Sequence, residues 1–216
     1  MLKLSRTTKL DGIQSWSLPA VKSCPGAHGA DGELVPVCKG CYATSGNYRF
    51  PNVANVRAHN MEDWKRADWA ADMIKALERA EFFRWFDSGD IHHPRLAKKI
   101  LAVATATPHC MHWIPTRSHK VRRLAPLIDA LDRLVNVSVR RSADELDTFD
   151  PKVHGSVVIT DGDNPPPGVT VCRAYETSPA KCNGCRACWN KKTAVIGYVA
   201  HGVSMQKLIK TTQLAA

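Results

Sequence analysis

The stretch Phe82-Phe83-Arg84-Trp85-Phe86-Asp87-Ser88-Gly89-Asp90 decides how this chain folds. Four aromatic residues around one arginine read as a short buried strand, which stops abruptly at an Asp-Ser-Gly-Asp turn. Working outward, the same unit recurs. Pro94 to Thr105 has helical periodicity, and Met111-His112-Trp113-Ile114 is a short strand ending at Pro115-Thr116-Arg117-Ser118. Val121 to Leu131 is helical again, and Leu134 to Val139 is a strand ending at Arg140-Arg141-Ser142. Ser156 to Thr160 forms a strand ending at Asp161-Gly162-Asp163, and Val169-Thr170-Val171 delivers Cys172. Upstream, Asn60 to Ala80 reads as one helix, with Trp64, Ala67, Ala71, Ile74 and Leu77 at helical spacing. Residues 1 to 23 are polar and mixed, with a strand expected near the start.

Strands alternating with helices at this spacing imply a parallel sheet. The expected fold class is α/β, a partial or shortened TIM-like (β/α) barrel with two cysteine metal sites. Too few strands are legible for a complete eightfold barrel. Residues 1–171 are expected to form the barrel-like catalytic domain, including an N-terminal cysteine loop. Residues 172–216 are expected to form a cysteine metal-binding segment and a basic C-terminal tail, packed on the same domain.

In such folds the chemistry sits at the carboxyl ends of the strands. That rule selects Asp87, Asp90, Asp161 and Asp163 as candidate catalytic carboxylates, since clustered carboxylates near arginines can have their pKa values driven apart. Each of them alone reads equally well as a turn former or helix cap. Ser88, Gly89, Thr116, Arg117 and Arg140 are the candidate substrate- or phosphate-binding residues, with Arg117 suited to an anionic group. His92-His93, His109 and His112 are expected to be packed or solvent-facing, outside the site.

Seven of the eight cysteines fall into two constellations. Cys172, Cys182, Cys185 and Cys188 have the density of a closed tetrahedral site, for which zinc is expected, although four thiolates also suit an iron–sulfur cluster. Lys181, Arg186, Lys191 and Lys192 offset the thiolate charge. Cys24, Cys38 and Cys41 are one ligand short. Either His28, His59 or Cys110 supplies the fourth, or the position stays open for a substrate. Zinc and an iron–sulfur cluster are both compatible with this trio.

The 216 residues are 44% apolar and 23% charged, enough for one substantial core. The formal charge of +10 favours a polyanionic partner: DNA, with RNA also compatible. Basic residues concentrate at Arg117 to Arg123, Arg140-Arg141 and Lys191-Lys192. No apolar run is long enough to cross a bilayer, and the N-terminus lacks the apolar core of a secretory signal. A cytoplasmic location is expected, where paired cysteines more often mean metal than disulfide.

The ordered set Cys24-Pro25-Gly26, Cys38-x-x-Cys41-Tyr42-Ala43, Arg57-x-x-Asn60, Asp87-Ser88-Gly89-Asp90, Thr116-Arg117 and Cys182-x-x-Cys185-x-x-Cys188-Trp189 resembles the bacteriophage gene product 88 family. That resemblance covers most of the chain and implies a phage origin and an infected bacterial cytoplasm. More distantly, Asp87-Ser88-Gly89 and the late cysteines resemble tRNA-guanine transglycosylases and their relatives that insert 7-deazaguanines into DNA. Asp90 stands where those enzymes carry a second glycine, and the cysteine trio has no counterpart in the tRNA enzymes. The Cys-x-x-Cys-Tyr-Ala ending also resembles the cluster loop of radical S-adenosylmethionine enzymes, with a longer first spacing.

The leading functional expectation is a DNA-modifying base-exchange enzyme that replaces guanine with a 7-deazaguanine. Asp161 or Asp163 would be the nucleophile, and Asp87 or Asp90 the base. The alternatives are an iron–sulfur enzyme acting on a nucleotide or modified base, and a non-enzymatic zinc-stabilised nucleic-acid-binding protein.

Overall fold

The computed structural model describes residues 1–214, and their side chains through Thr211. The end of the basic tail, residues 215–216, lies outside the described residues. Eight strands form one sheet: β1 (Ser5–Arg6), β2 (Gln14–Trp16), β3 (Phe82–Trp85), β4 (Met111–Thr116), β5 (Val137–Leu146), β6 (Gly155–Ile159), β7 (Val169–Val171) and β8 (Val195–Val199). Six α-helices accompany them: α1 (Pro36–Lys39), α2 (Pro51–Asp63), α3 (Trp69–Ala76), α4 (Pro94–Ala106), α5 (Ala125–Arg133) and α6 (Val203–Leu214). The chain is α/β, as expected.

The strand order is β1-β2-β3-β4-β5-β6-β8-β7. Only β1 pairs antiparallel, with β2; every other pair is parallel. From β2 to β6 the strands follow in chain order. The ladder has β1 and β7 at its two ends.

Alternation along each strand makes two different faces. On the first, Phe83, Trp85, Ile114, Val137 and Val139 meet Trp69, Met73, Leu77, Leu96, Ile100 and Ile128 from α3, α4 and α5 in the main core. The buried residues of α4 (Leu96, Ala97, Ile100, Val103 and Ala104) recur at helical spacing. Pro94 opens that helix, and His93 caps it by accepting from the Arg95 amide at 3.1 Å. The second face carries Arg84, Trp113, Ser138, Arg140 and Tyr198, and the two cysteine segments cover it. Leu10, Trp113 and Trp189 form its core, with Cys182, Cys188 and Tyr198 packed against them. Cys38 of α1 sits nearer the carboxyl end, beside Leu146 and Val158.

Three elements differ from the sequence expectation. The helix expected over 60–80 is two helices, broken at residues 64–68. There Lys99 of α4 donates to the freed carbonyls of Trp64, at 2.9 Å, and Arg66, while Arg66 pairs with Asp63, Asp68 and Asp72. The strand expected over 134–139 starts later and runs to Leu146, because Asn136 turns its amide into a hub for the carbonyls of Ala104, Thr107 and Cys110. Arg140 therefore lies inside β5 rather than at its end. Finally, β8 inserts between β6 and β7, so residues beyond 172 belong to the sheet itself. No helix among the described residues is long and apolar enough to cross a membrane.

Candidate functional site

The turn after β3 organises the carboxyl edge of the sheet. Gly89 has φ +79°, and a Cβ there would stand 2.6 Å from both the Leu18 Cβ and the Ser23 Oγ. This close approach binds the turn to the segment that follows β2. Ser88 Oγ donates to the Leu18 carbonyl at 2.7 Å and accepts from Arg57 Nε. Asn60, one helical turn from Arg57, donates to the carbonyls of Lys3 and Ser17.

Asp90 is buried and takes four donors: Thr116 Oγ1 at 2.7 Å, the amides of Arg117 and Ser118 at 2.8 and 3.1 Å, and the Ile91 amide at 2.7 Å. It clamps the end of β3 to the end of β4. Burial pushes its carboxyl upward against the pull of those donors. The cysteine loop rests on this clamp. A Cβ on Gly26 would lie 2.2 Å from the Arg117 carbonyl oxygen, so Cys24-Pro25-Gly26 needs its glycine to seat on the backbone Asp90 holds.

Asp87 is the carboxylate that faces the mouth, with 16% of its side chain exposed. It accepts from Tyr48 Oη at 2.7 Å, Arg84 Nη1 at 2.8 Å and Arg57 Nη2 at 3.4 Å. Arg84 is buried, lies 4.4 Å over the Trp113 ring and leaves its Nε without a partner. The Tyr42 hydroxyl turns inward to donate to the Asp87 carbonyl at 3.0 Å, and its burial pushes it up to about 12, while the ring remains 38% exposed. Tyr42 stacks on His201 at 5.7 Å, and His201 meets Tyr175 at 4.1 Å with a 2.7 Å bond between Tyr175 Oη and Nε2.

The other candidate residues stand elsewhere. Arg140 donates all five N–H groups to the carbonyls of Cys188, Thr193, Ala194, Ala187 and Asn190. It pins the late cysteine segment to the sheet and keeps no donor for a phosphate. Asp161 is exposed and closes its own turn, accepting from the Asp163 and Asn164 amides and the Asn164 side chain, which hold its carboxyl below the usual range. Asp163 is exposed, 3.8 Å from Arg173. Neither has Asp87 or Asp90 among its partners. Arg117 places Nε and Nη2 on the Ala143 carbonyl, which leaves Nη1 without a hydrogen bond among the described residues. His112 is walled into the main core, consistent with its exclusion from the site.

All eight cysteines are free thiols. Among the described residues, no three His, Cys, Asp or Glu side chains are placed closely enough to hold an ion. The donor sets nonetheless converge as two groups. Burial, then Asp90, then Cys41 and Cys38 push the Cys24 thiol upward. Burial likewise raises Cys38 and Cys41, while Arg117 pulls both down. Around the late set, burial raises Cys182, with Cys172 next among the causes, and takes Cys188 to about 11. Gathering thiols in a desolvated place disfavours their charged forms, and burial raises the solitary Cys110 as well, so the fit of both sets to a thiophilic metal rests on their donor type. Of the proposed fourth ligands for the trio, Cys110 is in the main core, His59 bonds the Met1 carbonyl, and His28 is exposed.

A family model described as Gene product 88 matches residues 2–207. The chain belongs to the gene product 88 family. The family's name suggests a bacteriophage origin. No curated protein and no solved structure matches the chain, so the transglycosylase and radical S-adenosylmethionine resemblances gain no support.

Sequence reasoning missed Arg84, Tyr48, Tyr175 and His201, and met Arg57 only within the family resemblance. One signal was available. A lone arginine between Phe83 and Trp85 must, by alternation, face away from the aromatic core.

Proposed function

We propose that this protein is an iron–sulfur enzyme acting on a nucleotide or modified base, with its reaction centre at the carboxyl edge of an incomplete (β/α) barrel. The observation that carries this reading is the placement of Cys24, Cys38 and Cys41. They follow β2, the first strand of the parallel series; Cys38 and Cys41 share Arg117 as an electrostatic neighbour, and Cys24 has Asp90, Cys41 and Cys38. The Cys24-Pro25-Gly26 segment also rests on the backbone that Asp90 holds, three residues from Asp87.

Three thiolates with no protein fourth ligand leave an open coordination position. Catalytic zinc sites with an open position include histidine or carboxylate ligands, whereas an all-sulfur set suits iron–sulfur. When bound, the cluster supplies one-electron chemistry. The chain's own residues do the rest. Asp90 fixes the loop, Asp87 offers a carboxylate to a substrate N–H or O–H, and Arg84 and Arg57 hold that carboxylate in place. Arg117 Nη1 is available to an anionic group. The four late cysteines fit a closed structural zinc site.

Base exchange calls for a nucleophilic and a basic carboxylate in one pocket. Asp90 is engaged by four donors, and Asp161 and Asp163 stand on an exposed turn, so of the four candidate aspartates only Asp87 is offered at the mouth. This favours the iron–sulfur reading.

The test is elemental analysis and visible absorption of protein purified without oxygen, followed by reduction and incubation with single-stranded DNA and nucleoside analysis by mass spectrometry. Iron that is lost in Cys41→Ser while zinc is retained, with an altered nucleoside formed, is expected. Protein that carries only zinc at both sites refutes the proposal.

A further inference from the structure

The mouth has an aromatic rim that the proposed reaction leaves unused. Tyr48, Tyr42, His201 and Tyr175 run ring to ring across it, with successive centroids 5.4, 5.7 and 4.1 Å apart. They come from four different segments: the two short turns after Cys41, the loop after Cys172 and the end of β8. No single helix or strand period produces such a row. It joins the two cysteine segments over the Asp87–Arg84 pair.

Tyr42 and Tyr175 are 38% and 45% exposed, and Phe50, two residues beyond Tyr48, is 56% exposed. Exposed aromatic rings grouped at one mouth mark a binding surface rather than ordinary scatter. The cations beside them identify the partner. Lys9 Nζ lies 3.6 Å over the Tyr175 ring, while the Arg57 guanidinium, 4.7 Å over that of Tyr48, is buried and held by Asp87, Ser88 and the Val53 carbonyl. With a net charge of +10, the surroundings suit a polyanion.

Resting on the reading above and naming its substrate class, we propose that this rim is a stacking platform for the bases of a single-stranded nucleic acid. Unpaired bases stack on Tyr and Phe faces whatever their sequence, and lysine and arginine side chains track the backbone. Lys9 holds the place over Tyr175 that a base takes on binding. The same ammonium then pairs with the strand's phosphate, so one exchange supplies both a stacking and a charge contact. A paired duplex keeps its base faces covered and cannot make it.

The experiment is fluorescence anisotropy with labelled twelve-nucleotide DNA and RNA strands and the corresponding duplex. Tighter binding of a single strand than of duplex is expected. Tyr175→Ala and Phe50→Ala should each weaken strand binding about tenfold or more, and Tyr175→Trp should stay within about threefold of the native protein. Lys9→Gln should reduce the slope of log K against log salt by about 0.7. Equal affinity for strand and duplex, or strand binding unchanged in both alanine variants, overturns the platform. Circular dichroism melts of the same variants report whether each is folded, and Tyr175→Phe, which keeps the ring, should bind like the native protein. Measuring iron on the same samples separates the two proposals. Strand binding absent from iron-loaded protein overturns the platform alone, and ring-dependent binding by protein without iron overturns the iron–sulfur reading alone.

Discussion

Arg140 donates to five carbonyl oxygens, whereas Arg84, two strands away on the same face, leaves Nε unpartnered and faces Asp87. Identical side chains thus serve a packed segment in one case and the mouth in the other. Arg140→Met strands those carbonyls in a buried place, so it should lower unfolding free energy by more than about 3 kcal/mol in urea titrations. Arg140→Lys should recover only part of this, because an ammonium has three donors in place of five. The aspartates divide in the same way. Asp87→Asn should abolish nucleoside conversion while iron content stays near native, and should lower the melting temperature because the buried Arg84 loses its counter-charge. Asp161→Asn should leave all three readouts unchanged, because its carboxylate serves only its own exposed turn. Sequence placed all four aspartates at turns. It did not separate them, because exposure depends on what packs over each turn.

At the scale of elements, the junction of β2, β3 and β4 depends on three fits. Gly89→Ala must accept both an unfavourable φ and contacts of 2.6 Å, for an expected loss of about 2 to 4 kcal/mol. Asp90→Asn replaces an acceptor of four hydrogen bonds with a group that also presents donors. Iron should then be lost from the early cysteine trio while zinc stays in the late set, as metal analysis of the purified variant can show. A third fit binds β3 to β4. Trp85 Nε1 donates to His112 Nδ1 at 3.1 Å, and the other ring nitrogen meets Thr107 Oγ1 at 2.9 Å. Protonation would place a hydrogen against the Trp85 N–H, and burial depresses His112 to about 4. The unfolded chain therefore binds this proton more readily. Stability should be fully present above about pH 6.5 and be lost as pH falls toward 4, by about 3 kcal/mol. Denaturant titrations from pH 4 to 7 check this, and His112→Gln should remove most of the slope.

At the scale of the whole molecule, the late cysteine segment is the crossover that joins β7 to β8, and β8 lies between β6 and β7. Metal at Cys172, Cys182, Cys185 and Cys188 would therefore support the sheet as well as its own loop. Chelation, or Cys185→Ser, should lower the melting temperature of the entire protein in one cooperative transition. A separate early transition for residues beyond 172 would contradict that coupling.

By itself, sequence determined the α/β class, the strands β3 to β7, the helices α3 to α5, both cysteine spacings and the family. These follow from local periodicity and spacing, which are properties of neighbouring residues. It misjudged the break at 64–68 and the extent of β5, where carbonyls are satisfied by distant groups such as Lys99 and Asn136, and it did not read β8. Only the tertiary structure separated Asp87 from Asp90, gave Arg140 to the late segment and assembled Tyr48, Tyr42, His201 and Tyr175 into one rim. Burial and hydrogen-bond partnership are set by segments far apart in the chain, and no periodicity along the chain encodes which of them will meet.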